Sequence, residues 1–263
     1  MPNLLSGWFY FRALRNWPEI ARVRLARRGG PLTLRMRDGV TLALSDGDNE
    51  IWAFQSVYRR RCYDRDFSGL PADGLVVDLG ANVGIFALYA ASRLVPHGRV
   101  VAVEPNPRMV EVLKANALAR SNVMVVPFAI DVSAGTRTLY VTESSLGCSF
   151  YQDRRETSVA IEVGCIACAD FLSAVCGREG RVSLLKCNAE GIEYPLLLET
   201  EPDVWARVDR LAIKYHEGDL VGMRDSRLLA DAVRRLGYRV LRHESIWRTA
   251  GLTTGIITAA RPL

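Results

Sequence analysis

GLVVDLGANVGIFALYAASRLVPHGRVVAVEP, running from Gly74 to Pro105, decides how this chain folds. Its first part, GLVVDLG, is a short apolar run between glycines and reads as a buried strand. GIFALYAASRL then has the length and composition of a helix, closed by Pro96-His97-Gly98, and RVVAVEP is a second strand. A strand, a helix and a strand in about thirty residues is the unit from which parallel sheets are built.

Downstream, the same rhythm continues. RMVEVLKANALAR is a second helix and NVMVVPFAI a third strand. Two strand-like runs follow, TRTLYVT and SVAIEV, then VSLLKCN, a helix begun at Pro195, and RLAIKYH. The last runs, GYRVLR and TTGIITAA, are joined by a loop, as an antiparallel pair at the end of the sheet would be. The pattern predicts an α/β domain with a mostly parallel sheet and helices on both faces. Upstream, LTLRMRDGVTLAL alternates about Asp38-Gly39 and predicts a β-hairpin, followed by a helix from about Glu50 to Cys62. Residues 1–70 thus form an N-terminal extension of cap helix, hairpin and pre-core helix, and residues 71–263 the main domain.

The 263 residues are 49% hydrophobic, enough for one large core. Net charge is +5, yet lysine occurs only at Lys114, Lys186 and Lys214. No basic run is dense enough for a nucleic-acid tail, and Arg59 to Arg61 reads as a solvated helix face. The first residues mix aromatics with arginines and lack the apolar core of a signal peptide. They read as an amphipathic cap helix in preference to a membrane-surface contact. With no uncharged stretch long enough to cross a bilayer, the expectation is a cytoplasmic protein without stable membrane insertion. CIAC, Cys165 to Cys168, is a lone CxxC with no partner pair, so its cysteines read as core residues and no metal is expected.

In open parallel sheets, ligands sit at the carboxyl ends of the strands. The first strand ends in DLGANVG, where Gly80 and Gly84, with Ala81 and Asn82 between them, allow a sharp turn close to a ligand. Asp78 precedes that turn and would repel a pyrophosphate, which excludes a dinucleotide and favours a ligand with an ammonium. Glu104, followed by Pro105 and Asn106, ends the second strand where an acid can hold ribose hydroxyls. Asp131, after Ala129 and Ile130, is expected to accept from an adenine amino group. Ammonium, ribose and adenine without phosphate describe S-adenosylmethionine.

VVDLGANVGIFALYAA, VVAVEPNP, LLKCNAEGIEYPLL and LAIKYHEG, in that order, resemble the blocks of the FkbM family of S-adenosylmethionine-dependent methyltransferases. VYRRRCYD resembles the helix before its core. The likeness runs from about Arg35 to Gly218. It implies a Rossmann-like class I methyltransferase sheet with an antiparallel last strand, and methylation of hydroxyls on sugars or secondary metabolites. Two positions depart from the family. Asn188 stands where its members have an aspartate, and Lys214 where they have a glutamate.

Period-two alternation puts Lys186 and Asn188 on one side of their strand end, and Lys214 and His216 on one side of theirs. If the strands are neighbours, these groups surround the transferred methyl. Asn188 cannot accept a proton, so the base is His216 first, then Glu190, with Glu193 or a desolvated Lys214 as further candidates. Nearby lysines would keep His216 neutral. The bland alternative is a Lys186–Glu190 ion pair bracing the strand end. Asn188, Glu190, His216 and Glu217 are possible metal ligands, but Lys214 puts a cation among them. Exchanging acids for an amide and a cation also suggests an anionic small-molecule acceptor. The rival readings are a nucleic-acid methyltransferase, for which CNAEG lacks the Asn-Pro-Pro-aromatic run, and a protein that binds the cofactor without transferring its methyl group.

Overall fold

The computed structural model describes residues 4–25, 30–94, 97–142, 148–151, 158–178, 180–218, 225–249 and 252–262. Pro96, the expected stop of the first core helix, lies outside them. The chain opens with α1 (Leu4–Ala13) and α2 (Trp17–Leu25), followed by β1 (Leu32–Arg35) and β2 (Thr41–Leu44). These strands form the expected hairpin, with Leu32 opposite Leu44 and Arg35 opposite Thr41. Next come α3 (Gly47–Phe54), which runs on into a π-helical turn at Gln55–Arg59, and α4 (Asp64–Phe67). The helix starts earlier than Glu50 because the Glu50 carboxylate reaches back to the Ser45 and Asp46 amides, satisfying donors that a helix start leaves open.

The core follows as β3 (Leu75–Leu79), α5 (Ile85–Arg93), β4 (Arg99–Val103), α6 (Pro107–Ala117) and β5 (Val123–Val126). After these come β6 (Ala129–Asp131), β7 (Gly135–Val141), β8 (Val159–Ala167), α7 (Cys168–Cys176) and β9 (Leu184–Cys187). The chain finishes with α8 (Glu193–Glu199), α9 (Pro202–Trp205), β10 (Arg210–Gly218), α10 (Ser226–Arg235), β11 (Arg239–Thr249) and β12 (Leu252–Ala260). Seven strands form the main sheet in the order β11-β12-β10-β9-β3-β4-β5. The β10-β9-β3-β4-β5 run is parallel, and β12 is antiparallel to both its neighbours. The fold is therefore the Rossmann-like α/β sheet that the sequence implied.

One strand was misjudged. NVMVVPFAI is two strands: β5 closes the main sheet at Val126, and β6 pairs with β8 in a second sheet of order β6-β8-β7. Pro127 stands at the break, and a proline cannot donate to a ladder. The helix expected from Pro195 begins two residues sooner, since a proline is tolerated in the first turn.

Alternation along the strands splits the core in two. Val77, Leu79, Val101, Leu185 and Ile213 face one layer with α7, α8 and α10, and Val76, Val100, Leu184 and Ala212 face the other. The second layer contains Tyr10, Leu14, Ile20, Leu42 and Phe54 together with Phe86 and Leu113, so the N-terminal extension shares the core of the main domain. Asn116 of α6 ties the two, exchanging hydrogen bonds of 2.7 and 2.9 Å with the Ala43 backbone. Burying each such aliphatic or aromatic side chain contributes roughly 1.5–3 kcal/mol.

Candidate active site

A cleft runs along the carboxyl ends of β3, β4 and β9, and the second sheet forms its far wall. Gly80 and Asn82 line it after β3, Glu104 and Pro105 after β4, Ala129 and Ile130 from β6, and Asn188 to Glu190 after β9. Met109, Phe128, Leu139 and Phe150 make the wall apolar.

The turn after β3 is built on backbone hydrogen bonds. The Gly80 and Ala81 amides both donate to the Val103 carbonyl, which joins the ends of β3 and β4. Gly80 has a φ of +74°, and a Cβ there would collide with the Asn188 carbonyl, so only glycine fits. Gly84, at φ +90°, starts α5, where a Cβ would strike Leu113. Glu104 accepts from the Asn82 amide at 2.8 Å and the Asn106 amide at 2.9 Å. Burial pushes its carboxyl up to about 7 despite those two donors. Asn106 is not in the wall. It caps α6 by accepting from the Arg108 amide and donates to Cys148 Sγ at 3.3 Å.

These residues fit an adenosyl sulfonium. Glu104 is fixed by two backbone donors and retains acceptor capacity for hydroxyls. The apolar wall suits a flat base, and among the described residues no lysine, arginine or histidine lines the cleft to attract a phosphate. Two expected contacts have other partners. Asp78 is fully buried, and the ammonium beside it is the protein's own: Lys186 Nζ lies 2.7 Å from Asp78 Oδ1 and 3.0 Å from the Gly80 carbonyl. This pair replaces the Lys186–Glu190 bridge considered from sequence. Burial pushes the Asp78 carboxyl up while Lys186 holds it down. Asp131 pairs with Arg137 at 2.8 Å and does not line the cleft.

The β9 end differs in character. Glu193 is buried and fully used, accepting from the Ala189 and Gly191 amides at 2.7 Å each. That pins a tight loop in which Glu190 takes a φ of +52°, a left-handed conformation costing a β-carbon-bearing residue about 1–3 kcal/mol. Ser149 braces the loop by donating to the Glu190 carbonyl at 3.0 Å. Glu190 lines the cleft, its side chain 23% accessible, and burial pushes its carboxyl up to about 7, against the pull of Lys214 and Lys186.

His216 lies outside the lining, buried next to Glu190. Its Nδ1 is 3.6 Å from Glu190 Oε2, too far for a hydrogen bond, and is unpartnered. Burial, then the Lys214 charge, pushes the imidazole down to about 4, so it is neutral near pH 7. Asn188 lines the cleft with a buried Oδ1 that has no hydrogen-bond partner. Lys214, two residues before His216 on β10, is half-buried and makes no ion pair among the described residues. β9 and β10 are indeed neighbours, with Ala212 opposite Lys186.

Sequence reasoning reached Ala129 and Ile130 of this wall but missed Phe128, Leu139, Cys148 and Phe150. Phe128 and Leu139 lie in runs read as strands without a place at the site, and Cys148 and Phe150 in the polar stretch between TRTLYVT and SVAIEV. Cys165 and Cys168 are buried in the core, and burial pushes the Cys168 thiol up to about 12.

Several known proteins resemble this chain. AMB antimetabolite synthetase AmbE of Pseudomonas aeruginosa is 30% identical over 72% of this chain, which spans 10% of the length of that protein. Methyltransferase sdnD of Sordaria araneosa is 26% identical, covering 74% of this chain and 84% of its own. The 31-O-demethyl-FK506 methyltransferase FkbM of Streptomyces tacrolimicus is also 26% identical, covering 71% and 82%. Among solved structures, M. jannaschii TYW2 in complex with AdoMet has a TM-score of 0.49 at 16% identity, covering 89% of this chain and 88% of that one. The N-terminal domain of EvdMO1 with SAH bound has a TM-score of 0.45 at 15% identity, covering 78% and 80%. Residues 78–240 match the methyltransferase FkbM domain from the buried carboxylate of β3 into β11, and the chain therefore belongs to the FkbM family of S-adenosylmethionine-dependent methyltransferases.

Proposed function

We propose that this chain methylates a hydroxyl on a small-molecule acceptor, a sugar or secondary-metabolite intermediate, with Glu190 taking the hydroxyl proton. The observation that carries the assignment is the position of Glu190: a carboxylate at the cleft wall, poised near neutrality, on a loop held in a strained conformation. Bound S-adenosylmethionine supplies a methyl group on a positively charged sulfur. The protein's own tasks are to hold that ligand, align the acceptor and remove a proton. Glu104 and the apolar wall perform the first. Asn188, through its free Oδ1, accepts from a second hydroxyl or N–H of the acceptor and so fixes its orientation. Glu190 accepts the proton as the oxygen gains its new bond to carbon.

His216, the first choice from sequence, takes a supporting part in this scheme. It is less accessible than Glu190 and too weakly basic, at about 4, to hold a proton near neutral pH. As a neutral ring beside Glu190, it leaves the carboxylate without a full counter-charge and so keeps its affinity for a proton high. Lys214, whose charge is felt by both Glu190 and His216, favours an acceptor bearing a carboxylate or phosphate. The names of the similar proteins from Streptomyces and Pseudomonas, which speak of a demethyl-FK506 acceptor and an antimetabolite, support a small molecule over a nucleic acid. Six free cysteines, none in a disulfide, support a cytoplasmic setting.

The test is transfer of label from methyl-labelled S-adenosylmethionine to a panel of hydroxylated acceptors in matched neutral and carboxylate-bearing pairs, read by mass spectrometry. We expect label on an acceptor oxygen, lost in Glu190→Gln, and a higher kcat/KM for the anionic partner. Tight cofactor binding without transfer to any acceptor would instead favour a binding protein that does not methylate.

A further inference from the structure

Helix α1 is apolar on two faces, and the domain uses only one. Tyr10 and Leu14 point inward and are buried with Ile20 of α2. On the other side Trp8 is 61% and Phe11 43% exposed. A helix on a globular domain ordinarily turns polar residues to that side. The Trp8 and Phe11 rings stack at 5.6 Å, and Phe11 meets Trp17 edge-on at the same distance, so the three make one continuous aromatic strip.

Arginines rim the strip. The Arg37 guanidinium sits 5.8 Å from the Phe11 ring centre and donates to the Phe11 carbonyl, Arg15 donates to the Arg37 carbonyl, and Arg12 is exposed on the same helix. The charge is strongly segregated along the chain. Residues 1–37 hold eight arginines against one acid, Glu19, a net +7, so with +5 overall the remaining residues are net −2. Tryptophan and phenylalanine set among arginines on a surface helix suit the boundary between headgroups and acyl chains, with the guanidinium groups reaching phosphates.

We infer that this face seats the protein on an anionic lipid surface, without spanning it. No helix among the described residues is long and apolar enough to cross a membrane. The test is co-sedimentation of the full chain with vesicles of equimolar phosphatidylcholine and phosphatidylglycerol, and with pure phosphatidylcholine. The charged vesicles should bind at least about tenfold more tightly, and rising salt should remove most of the difference. Trp8→Ser with Phe11→Ser should lower affinity about tenfold or more, and Arg12→Glu by a few-fold. Both variants should keep wild-type cofactor affinity by calorimetry, which shows that they are folded.

Several results would overturn the inference: no binding to charged vesicles, equal binding to neutral ones, or no effect of the aromatic double variant. A dimer that falls apart in that variant without any vesicle binding would assign the face to a second copy of the chain. Displacement from vesicles by equimolar single-stranded RNA would assign it to nucleic acid.

Discussion

The two halves of the sheet edge are built on opposite principles. Where β3 and β4 end, polar groups are tied to backbone: Glu104 holds two amides, Asn106 caps a helix, and Gly80 and Ala81 share one carbonyl. Where β9 and β10 end, Asn188 Oδ1 and His216 Nδ1 are buried without partners, and Glu190 is strained and displaced toward neutral pH. In the function proposed above, the first half recognises one invariant ligand, and the second keeps its hydrogen-bonding capacity for a substrate and for proton movement. The second half also holds Asn188 and Lys214, the two positions that the sequence reading set apart from the family pattern.

The contrast is broken most forcefully at Glu190. Glu190→Gln should lower kcat by about 10²–10⁴-fold with little change in cofactor affinity. The sign of the pH dependence is fixed by the same group. A base works deprotonated, so wild-type kcat should climb about tenfold per pH unit below its midpoint near 7 and level off above it. In the variant that limb should vanish. A limb persisting in Glu190→Gln would return the base to another group.

Next in size is the pair beneath the cofactor turn. Lys186→Met leaves Asp78 buried without its cation and should cost about 3–5 kcal/mol in denaturant unfolding. Asp78→Asn with Lys186→Met together should cost less than the two single changes added, since neither charge is then stranded. In the preorganised half, Glu104→Gln should weaken S-adenosylmethionine binding by about 10–100-fold in calorimetry, as loss of a charged hydrogen bond implies, with kcat at saturating cofactor nearly unchanged. Equal losses in kcat would erase the division of labour between the halves.

His216→Gln sharpens the comparison. As a positioning residue it should move the pH midpoint of kcat by less than about one unit and lower kcat only a few-fold. The smallest effect is expected at Asp131, engaged by Arg137: Asp131→Ala should change cofactor affinity by less than about threefold. A larger loss would restore the adenine contact that the sequence suggested.

Legibility followed the same division. The parallel sheet was readable because each buried strand is a short apolar run between glycines or prolines, and Gly80 and Gly84 announce their turn. Glu104 was placed just past the end of its strand from spacing alone. Asp78 was found for its charge but not its partner, because Lys186 lies over a hundred residues away and only the β3-β9 register brings them together. The order of Glu190 and His216 was unreadable for a similar reason: burial, set by the packing of whole layers, decides which of two titratable neighbours faces the cleft. Strands β7 and β8 were legible as runs, but their separation into a second sheet was not, because Pro127 interrupts what looks like one strand and the wall residues Cys148 and Phe150 lie in a polar stretch.

Gly80 carries a consequence for how the enzyme takes up its two ligands. Its backbone lies so near the Asn188 carbonyl that not even a methyl group fits between them, so in the proposed site the loop under one ligand cannot move toward the loop beneath the other without pushing it. A push on either is passed to its neighbour. By thermodynamic reciprocity, whatever factor the first ligand imposes on the affinity for the second, the second returns in equal measure.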